Sequence, residues 1–399
     1  MRKPDLDTRI AVTGAGIICS IGRNQSEVWQ SIVESRSGIG KLTRFPGETF
    51  PTGIAAEAEA ALPISKRDAK RLSRTDLLAL IAAKEALAQA GDVPLERAIV
   101  STGTSTGGLL EGEHYYFERI VRGRRRAAAS HVLQQPTSGP SDAVARVFGL
   151  GGGVVSNATA CASAGAAIGM AADYLRSGHA DVALAGGSDA LCRLTYSGFN
   201  VLQAVDPEPC SPFGSTRKGI TLGEGAGFLV LERWDDAMAR GATILAELGG
   251  YGASCDAHHP TAPAEDGHGA EAAMRGALGE SRLMPAAVDY VNAHGTGTLL
   301  NDSAETKAII AALGTGVPVS SSKSYFGHTL GASGAVEAVI TVLALQHQTA
   351  PPTLRLHENA ADCTLDYIPH TPRLLAMTNV LSNTFGFGGS NVSLLLKRV

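Results

Sequence analysis

Short apolar runs with strand character alternate with longer helical runs along most of the chain. Residues 9–14 form a candidate buried strand that ends in glycine, and residues 74–91 carry the Ala/Leu pattern of a helix closed by glycine. Further buried strands are predicted in the first half at 98–102, 154–158, 182–185 and 227–231. This alternation predicts an α/β protein whose helices cover a mixed or parallel sheet.

A comparable second set of elements begins near residue 244. It contains candidate strands at 288–293, 317–320, 380–384 and 391–397, and candidate helices at 267–278, 302–313 and 333–347. Two such sets suggest an internal duplication, although sequence identity between them is too weak to count as a repeat. We therefore predict two domains, residues 1–245 and 246–399.

Composition narrows the possible classes of function. The 399 residues are 44% hydrophobic and 18% charged, which suits a globular protein with two cores or one large duplicated core. A net charge of -4 argues against nucleic-acid binding as the main role. The six cysteines lack CxxC spacing, and no segment has the form of a signal peptide or a membrane helix of ~20 apolar residues. We expect a cytoplasmic protein with no metal site.

The segment 111–141 interrupts the alternation of strands and helices. It is polar, rich in arginine and broken by Gly123, Pro136 and Pro140, so we predict a cap or interface insertion in the first half. Four of its arginines form a basic cluster to which the sequence assigns no role: Arg122, Arg124, Arg125 and Arg126.

Cys161 follows a predicted strand and begins a helix of small residues that continues to about Leu175. Unpaired N–H groups and the dipole at a helix N-terminus favour a thiolate nucleophile, and the same amides can hold an oxyanion. The alternative is a small buried hydrophobic residue, which is what most free cysteines are. The other five cysteines receive this second interpretation.

His294 and His328 each lie in a glycine-rich turn after an apolar run. Such turns place side chains at the carboxyl edge of a sheet, where α/β proteins usually have their sites. Taken alone, either histidine is as consistent with a structural or metal-ligand role as with a catalytic one. Together with Cys161 they favour nucleophilic catalysis.

Four ordered motifs carry a family resemblance: ACASAG at 160–165, HGTGT at 294–298, K-x3-GHTLGASG at 323–334 and NTFGFGGSN at 383–391. They resemble those of the β-ketoacyl-acyl-carrier-protein synthases, particularly the elongating type II enzymes, over essentially the whole chain. The resemblance implies a thiolase fold, with two similar α/β halves related by a pseudo-twofold axis in five layers, α-β-α-β-α. It also implies a dimer. Priming synthases use Cys-His-Asn instead.

The resemblance implies a role for each matched residue. Cys161 takes the acyl group from an acyl carrier protein, and His294 and His328 donate N–H bonds to a malonyl thioester. Lys323 and Glu337 orient the histidines, and the backbone N–H groups of Cys161 and Phe387 form the oxyanion hole. A surface carboxylate is the simpler interpretation of Glu337, although its apolar neighbours indicate that it needs a partner.

Other matched residues concern the substrate. The resemblance assigns Thr296, Thr298 and Phe385 to the pantetheine and acyl tunnel, and Asp302 and Glu305 to a structural acidic pair with a capping and salt-bridge role. Two positions depart from the usual elongating enzymes: Thr106, at the floor of the acyl pocket across the dimer interface, and Ile220, where phenylalanine is common. No cofactor is implied beyond the phosphopantetheine of the carrier protein.

Two further surface features bear on partners. Five basic residues are predicted on one helix face and resemble the family's carrier-docking patch, with a merely solvated face as the alternative: Lys66, Arg67, Lys70, Arg71 and Arg74. The loop with His258 and His259 matches no standard metal motif, so we predict a substrate-side loop near the gate of the site.

These observations predict a 3-oxoacyl-[acyl-carrier-protein] synthase that performs decarboxylative Claisen condensation in fatty-acid-type chain elongation, as a homodimer. The alternative is a ketosynthase of a specialised polyketide or polyene pathway, paired with a chain-length-factor-like subunit. A chain-length factor itself lacks the nucleophile, so Cys161 argues against it. The HGTGT and GHTLGASG motifs argue against a degradative thiolase.

Overall fold

The fold is organised around one long mixed β-sheet. The computed structural model describes residues 5, 7–47, 50–60 and 71–399. The strands in this part of the chain are β1 (Ile10–Ile18), β2 (Gly40–Lys41), β3 (Ile54–Ala55), β4 (Ala98–Gly103), β5 (Gly153–Asn157), β6 (Val182–Asp189), β7 (Gly225–Arg233), β8 (Ala246–Cys255), β9 (Tyr290–Asn292), β10 (Val319–Ser320), β11 (Thr349–Ala350), β12 (Arg373–Leu374), β13 (Asn379–Gly386) and β14 (Ser390–Lys397).

Ten of the described strands form the main sheet, in two sets of five with the same connectivity. The first set has the order β5-β4-β6-β7-β1, in which β5, β4 and β6 are parallel and the next two pairs are antiparallel. The second set, β10-β9-β13-β14-β8, repeats this pattern of parallel and antiparallel pairs. The sets meet where β1 pairs with β8. The predicted fold of two similar α/β halves is confirmed.

Helices cover both faces of each half. The described α-helices are α1 (Gln25–Val33), α2 (Arg74–Ala90), α3 (Leu109–Tyr116), α4 (Ser130–Leu133), α5 (Gly139–Phe148), α6 (Ser163–Arg176), α7 (Arg193–Val201), α8 (Trp234–Ala239), α9 (His268–Ser281), α10 (Leu299–Leu313), α11 (Lys323–Phe326) and α12 (Ser333–His347). One apolar cluster lies between the halves and includes α6 and α12, while α2 with α5 and α9 with α10 pack on the outer faces. The result is the predicted sequence of layers, α-β-α-β-α.

Helix α12 is the most buried helix of the central layer. Its first thirteen residues, from Ser333 to Leu345, are buried. The segment Leu330–His347 is long and apolar enough to cross a bilayer by length and composition alone, but 89% of it is buried inside the protein. Its apolar character is explained by packing between the two halves of the sheet.

The same turn precedes both central helices. One 3-10 turn spans residues 160–162 before α6, and the other spans residues 330–332 before α12. Each turn begins with a left-handed residue, Ala160 with φ 49° or Leu330 with φ 54°. The local sequences correspond position by position, as Thr159-Ala160-Cys161-Ala162-Ser163 and Thr329-Leu330-Gly331-Ala332-Ser333. This correspondence places Cys161 and Gly331 at equivalent positions.

Strand β5 lies at one edge of the sheet. The prediction of a buried strand over 154–158 is wrong in this respect, since most of β5 is exposed or half-buried and Val154 is 43% exposed. It pairs with β4 on one side, and no described strand pairs with its other side. Its apolar residues therefore belong to an open edge and not to the core of a single chain.

The predicted insertion at 111–141 contains the short helices α3 and α4 and a π-helical stretch, Phe117–Val121. Several of its apolar side chains are exposed, including Ile120 at 72% and Leu133 at 81%. In the arginine cluster, Arg122 and Arg124 both pair with Glu118.

Candidate active site

A cavity of about 310 Å³ opens at the carboxyl edge of the sheet. Cys161, His294 and His328 all line it, although they come from three distant parts of the chain. Cys161 comes from the turn before α6, His294 from the segment after β9 and His328 from the segment after α11. The fold thus brings together the three residues on which the sequence prediction depended.

Cys161 is 6% exposed at the bottom of this cavity. Burial raises the pKa of its thiol to about 11, while the Lys323 charge and a bond from the Phe387 backbone act in the opposite direction. The predicted resting thiolate is therefore wrong, because desolvation outweighs the N–H groups and the nearby charge. The thiol is the resting form.

The environment of His328 fixes which ring nitrogen carries its proton. Its Nδ1 accepts a hydrogen bond from the Leu330 backbone N–H at 3.1 Å and lies 2.9 Å from the Ser333 hydroxyl. Burial and the Lys323 charge hold the pKa of His328 well below 6.5, so the ring is neutral. A neutral ring that accepts at Nδ1 carries its proton on Nε2, which can then donate.

His294 also carries its proton on Nε2, but a different contact fixes this position. Its Nδ1 lies 3.2 Å from the Lys323 ammonium, which can only donate. Burial, followed by the Lys323 charge and His328, holds the pKa of His294 well below 6.5. The rings of His294 and His328 lie edge to face, with centroids 5.3 Å apart. The cavity therefore contains two neutral imidazoles, each with an Nε2–H donor.

Lys323 and Glu337 form a buried ion pair behind the histidines. Their side chains are 1% and 0% exposed, and the Lys323 ammonium contacts a Glu337 carboxylate oxygen directly. Burial raises the pKa of Glu337 to about 7, against the opposing effect of Lys323. The interpretation of Glu337 as a surface carboxylate is wrong, and its apolar neighbours in α12 explain why it needs this partner.

The loop after β13 approaches Cys161 through its backbone. A Cβ added at Gly386 would lie 3.1 Å from the backbone nitrogen of Cys161, so this glycine permits the close approach. The Phe387 backbone bonds to the Cys161 thiol. Gly388 has a φ of 81°, which favours glycine. The backbone groups of Cys161 and Phe387 thus both lie close to the Cys161 thiol.

A second loop supports that segment from the outside. Pro260 accepts a bond from the Gly388 N–H at 2.8 Å, and the Asp256 N–H donates to Gly389 at 2.9 Å. Nearby, His259 Nδ1 accepts N–H bonds from Thr261 and Ala262. Residues 261–263 line the cavity beside Asp256, whereas His258 and His259 do not. Within the described ranges, no three His, Cys, Asp or Glu side chains are grouped as a metal site.

The two acids of α10 brace the segment that carries His294. Glu305 accepts N–H bonds from His294 and Gly295 at 2.8 and 2.7 Å, and Asp302 accepts from Phe213 at 2.7 Å. Asp302 also lies 3.8 Å from Arg217. The helix cap itself is Thr298, which accepts the Asn301 N–H. Helix α10 therefore begins three residues earlier than predicted.

The predicted substrate residues divide into two groups. Thr296, Thr298, Phe385 and Ile220 line the cavity, with Ile220 3% exposed. Thr106 does not line the cavity of its own chain. Its hydroxyl and its backbone N–H both donate to Asp189, at 2.7 and 2.9 Å.

Two of the five residues of the predicted docking patch, Arg71 and Arg74, lie within the described residues. Lys66, Arg67 and Lys70 lie outside the described residues. Arg71 is exposed but precedes the N-cap of α2, so it does not lie on the same helix as Arg74. Arg74 is wrong as a docking residue, because its guanidinium donates to the buried carboxylate of Glu224 at 2.5 and 2.8 Å.

Sequence reasoning missed two supporting residues. Ser333 bonds to His328 Nδ1, and its position in the repeated Thr-x-x-Ala-Ser turn could have identified it. Asp189 is fully buried and accepts bonds from the Thr104 hydroxyl, the Ser105 N–H, Thr106 and the Gly331 N–H. It joins the loop after β4 to the turn before α12. No local sequence signal distinguishes it.

A duplicated α/β fold with one cysteine and two histidines around a central cavity defines the class of thiolase-fold condensing enzymes. Residues 7–237 match the family model "Beta-ketoacyl synthase, N-terminal domain", and residues 245–357 match "Beta-ketoacyl synthase, C-terminal domain". The chain belongs to the β-ketoacyl synthase family.

Individual relatives cover the chain from end to end. It is 40% identical over 405 residues to nodulation protein E of Rhizobium meliloti strain 1021, with 99% of this chain and 100% of the relative covered. It is 38% identical over 407 residues to 3-oxoacyl-[acyl-carrier-protein] synthase 2 of Synechocystis, with 98% of each covered. The solved ishigamide ketosynthase/chain length factor matches with a TM-score of 0.94 at 33% identity, covering 98% of this chain and 99% of that one.

Proposed function

We propose that this chain is a 3-oxoacyl-[acyl-carrier-protein] synthase that extends an acyl group by decarboxylative Claisen condensation. The observation that carries the proposal is the convergence of Cys161 with two neutral Nε2–H donors, His294 and His328, in one cavity. Similarity to 3-oxoacyl-[acyl-carrier-protein] synthase 2 supports the choice of carrier-bound substrates. Phosphopantetheine enters as part of the carrier and is not a resident cofactor.

In the first step, the sulfur of Cys161 attacks the carbonyl carbon of an acyl thioester. The oxyanion lies within reach of the backbone N–H groups of Cys161 and Phe387. The carbon–sulfur bond to the pantetheine arm then breaks. The proton of the Cys161 thiol passes to the departing sulfur. The mechanism therefore needs no free thiolate at rest, which is consistent with a thiol pKa of about 11.

In the second step, a malonyl thioester occupies the same cavity. Its carboxylate leaves as carbon dioxide, and the electron pair of that bond forms an enolate whose oxygen accepts from Nε2–H of His294 and His328. The enolate carbon attacks the acyl carbonyl on Cys161. The carbon–sulfur bond to Cys161 breaks and a 3-oxoacyl thioester two carbons longer leaves. The Cys161 thiolate then takes a proton from water, which restores the resting thiol.

The open edge at β5 supports the proposal of a homodimer. An exposed strand edge presents unpaired backbone groups that favour pairing with another chain. The exposed Val154 and the exposed apolar residues of the insertion, Ile120 and Leu133, are consistent with a covered surface. We place this dimer in the cytoplasm, where acyl carrier proteins deliver its substrates.

A specialised ketosynthase paired with a chain-length-factor-like subunit is the second candidate. The likeness to the ishigamide ketosynthase/chain length factor favours it. Ile220 also favours it, because a branched side chain in place of the usual phenylalanine changes the shape of the acyl end of the cavity. In this case the β5 edge would pair with a different chain.

Intact-mass measurement tests the proposal. The protein is incubated with a panel of acyl carrier protein thioesters and then with malonyl carrier protein. Wild type should gain one acyl group and release a 3-oxoacyl product two carbons longer, and Cys161→Ala should gain none. Cys255→Ala is the matched control, because Cys255 is exposed and should not be the loaded residue. Failure of wild type to acylate with every thioester would contradict the proposal.

A further inference from the structure

The entrance of the catalytic cavity carries a cation that the proposed mechanism does not use. Lys218 lines the cavity and is exposed, in contrast to Cys161 at the bottom. Among the described residues that line the cavity it is the only lysine or arginine. No described carboxylate forms an ion pair with its ammonium. The entrance therefore presents a positive charge that is not held in a direct ion pair, although it acts at longer range on the carboxyl group of Asp206.

The backbone around Lys218 is fixed beside the rim of the cavity. Its N–H donates to Asp206 at 3.1 Å. The preceding Arg217 is buried and donates to the carbonyl groups of Thr298 and Leu299 at 3.4 and 3.2 Å. Thr298 and Leu299 themselves line the cavity. These bonds hold the backbone that carries the Lys218 ammonium in place. That backbone lies next to Thr298 and Leu299, along which a pantetheine arm would pass.

Two acids near Lys218, Asp256 and Asp206, already accept N–H bonds. Asp256 lines the cavity, but its two oxygens accept from Asn391 Nδ2 at 2.7 Å and from the Ala264 N–H at 3.1 Å. Asp206 accepts from the backbone N–H groups of Glu208 and Lys218. An anionic ligand at the entrance would therefore meet Lys218 without competing with an existing ion pair.

We propose that Lys218 binds the phosphate of the phosphopantetheine arm. The inference rests on the proposed function, because that function supplies an arm whose thioester must reach Cys161 while its phosphate stays outside. The malonyl carboxylate is a second anion, but it reacts beside the buried His294 and His328, whereas Lys218 is exposed at the entrance. Lys218 therefore favours donors that carry the phosphate.

The test compares two small donors with the whole protein, hexanoyl-pantetheine and hexanoyl-4′-phosphopantetheine. The rate at which Cys161 is acylated is measured by intact mass against donor concentration. Wild type should reach half-saturation at about fivefold lower concentration with the phosphorylated donor, as expected for one solvent-exposed charge pair. High salt should reduce this preference. In Lys218→Met the two donors should reach half-saturation at the same concentration.

Lys84→Met is the matched control, since Lys84 is exposed on α2 and does not line the cavity. It should keep the wild-type preference. The inference is overturned if Lys218→Met retains the preference, or if the substitution alters only the release of carbon dioxide from malonyl-pantetheine. If wild-type Cys161 is acylated by neither donor nor by an acyl carrier protein, the proposed function itself fails, and the Lys218 inference fails with it.

Discussion

Replacing Glu337 by glutamine should separate the two half-reactions of the enzyme. Glutamine keeps the size of the side chain but removes the only charge that faces the Lys323 ammonium among its described partners. Both side chains are at most 1% exposed. Leaving one member of a buried pair without its partner costs about 3–5 kcal/mol. The protein can avoid this cost if Lys323 loses its proton.

A neutral Lys323 amine would change the proton position on His294. The amine nitrogen can accept a bond from Nδ1–H, whereas the ammonium can only donate to Nδ1. The proton of His294 would then move from Nε2 to Nδ1, and one donor to the enolate would be lost. Loss of one such donor slows a reaction by about 10²–10³-fold. Acylation of Cys161 does not use this donor. Loss of the Lys323 charge raises the pKa of the thiol further, so acylation should also fall, but by less than the release of carbon dioxide.

The two rates are measured separately, acylation by intact mass and decarboxylation by carbon dioxide release from malonyl carrier protein. Urea unfolding checks that the variant is folded. Glu271→Gln is the control, because Glu271 pairs with Arg275 on the exposed surface of α9 and should cost less than about 1 kcal/mol. A folded Glu337→Gln protein that releases carbon dioxide at the wild-type rate would refute the proposed tautomer. Equal loss of both rates would indicate that the substitution acts mainly on Cys161 and not on the proton of His294.

Three further predictions follow from other contacts. Arg74→Ala should lower the free energy of unfolding in urea by about 1–3 kcal/mol, because the buried Glu224 carboxylate keeps Arg44 as its ion-pair partner. Exposed Arg71→Ala should change it by less than about 0.5 kcal/mol. Burial raises the pKa of Glu305 from 4.5 to about 7, so its contribution to stability is complete below pH 4.5 and is lost as the pH rises through 7. Glu305→Gln should therefore reduce the fall in unfolding free energy between pH 5 and pH 8 by up to about 3 kcal/mol, and an unchanged slope would contradict this. Ile220→Phe should shorten the longest acyl chain that Cys161 accepts, measured by mass across a series of chain lengths, and an unchanged limit would show that Ile220 does not shape the acyl end.

The sequence predicted those helices and turns whose residue pattern lies within the segment itself. The helix 333–347 matched its observed bounds, because its apolar run and its glycine-rich start lie within the segment itself. The convergence of Cys161, His294 and His328 was also foreseen, since each residue follows a glycine-rich turn at the carboxyl edge of a sheet. These features need no knowledge of which elements become neighbours.

The errors came from contacts between distant segments. The exposure of β5 depends on its place at the end of the strand order, and its sequence is as apolar as that of an inner strand. Arg74 appeared to be a surface cation because its partner, Glu224, lies 150 residues away. The raised pKa of Cys161 likewise reflects how deeply the two halves bury the turn, which a helix N-terminus alone does not reveal.

The repeated turn before the two central helices bears on how many acyl groups one chain can carry. Duplication offers two equivalent places for a reactive side chain, Cys161 in one half and Gly331 in the other. A Cβ at Gly331 would lie 2.5 Å from the Ser105 nitrogen and 2.7 Å from an Asp189 oxygen, so the second place has no room for a thiol. The backbone of the loop after β4 excludes it sterically. This site can therefore carry one acyl group in each chain, although the turn that holds Cys161 occurs in both halves.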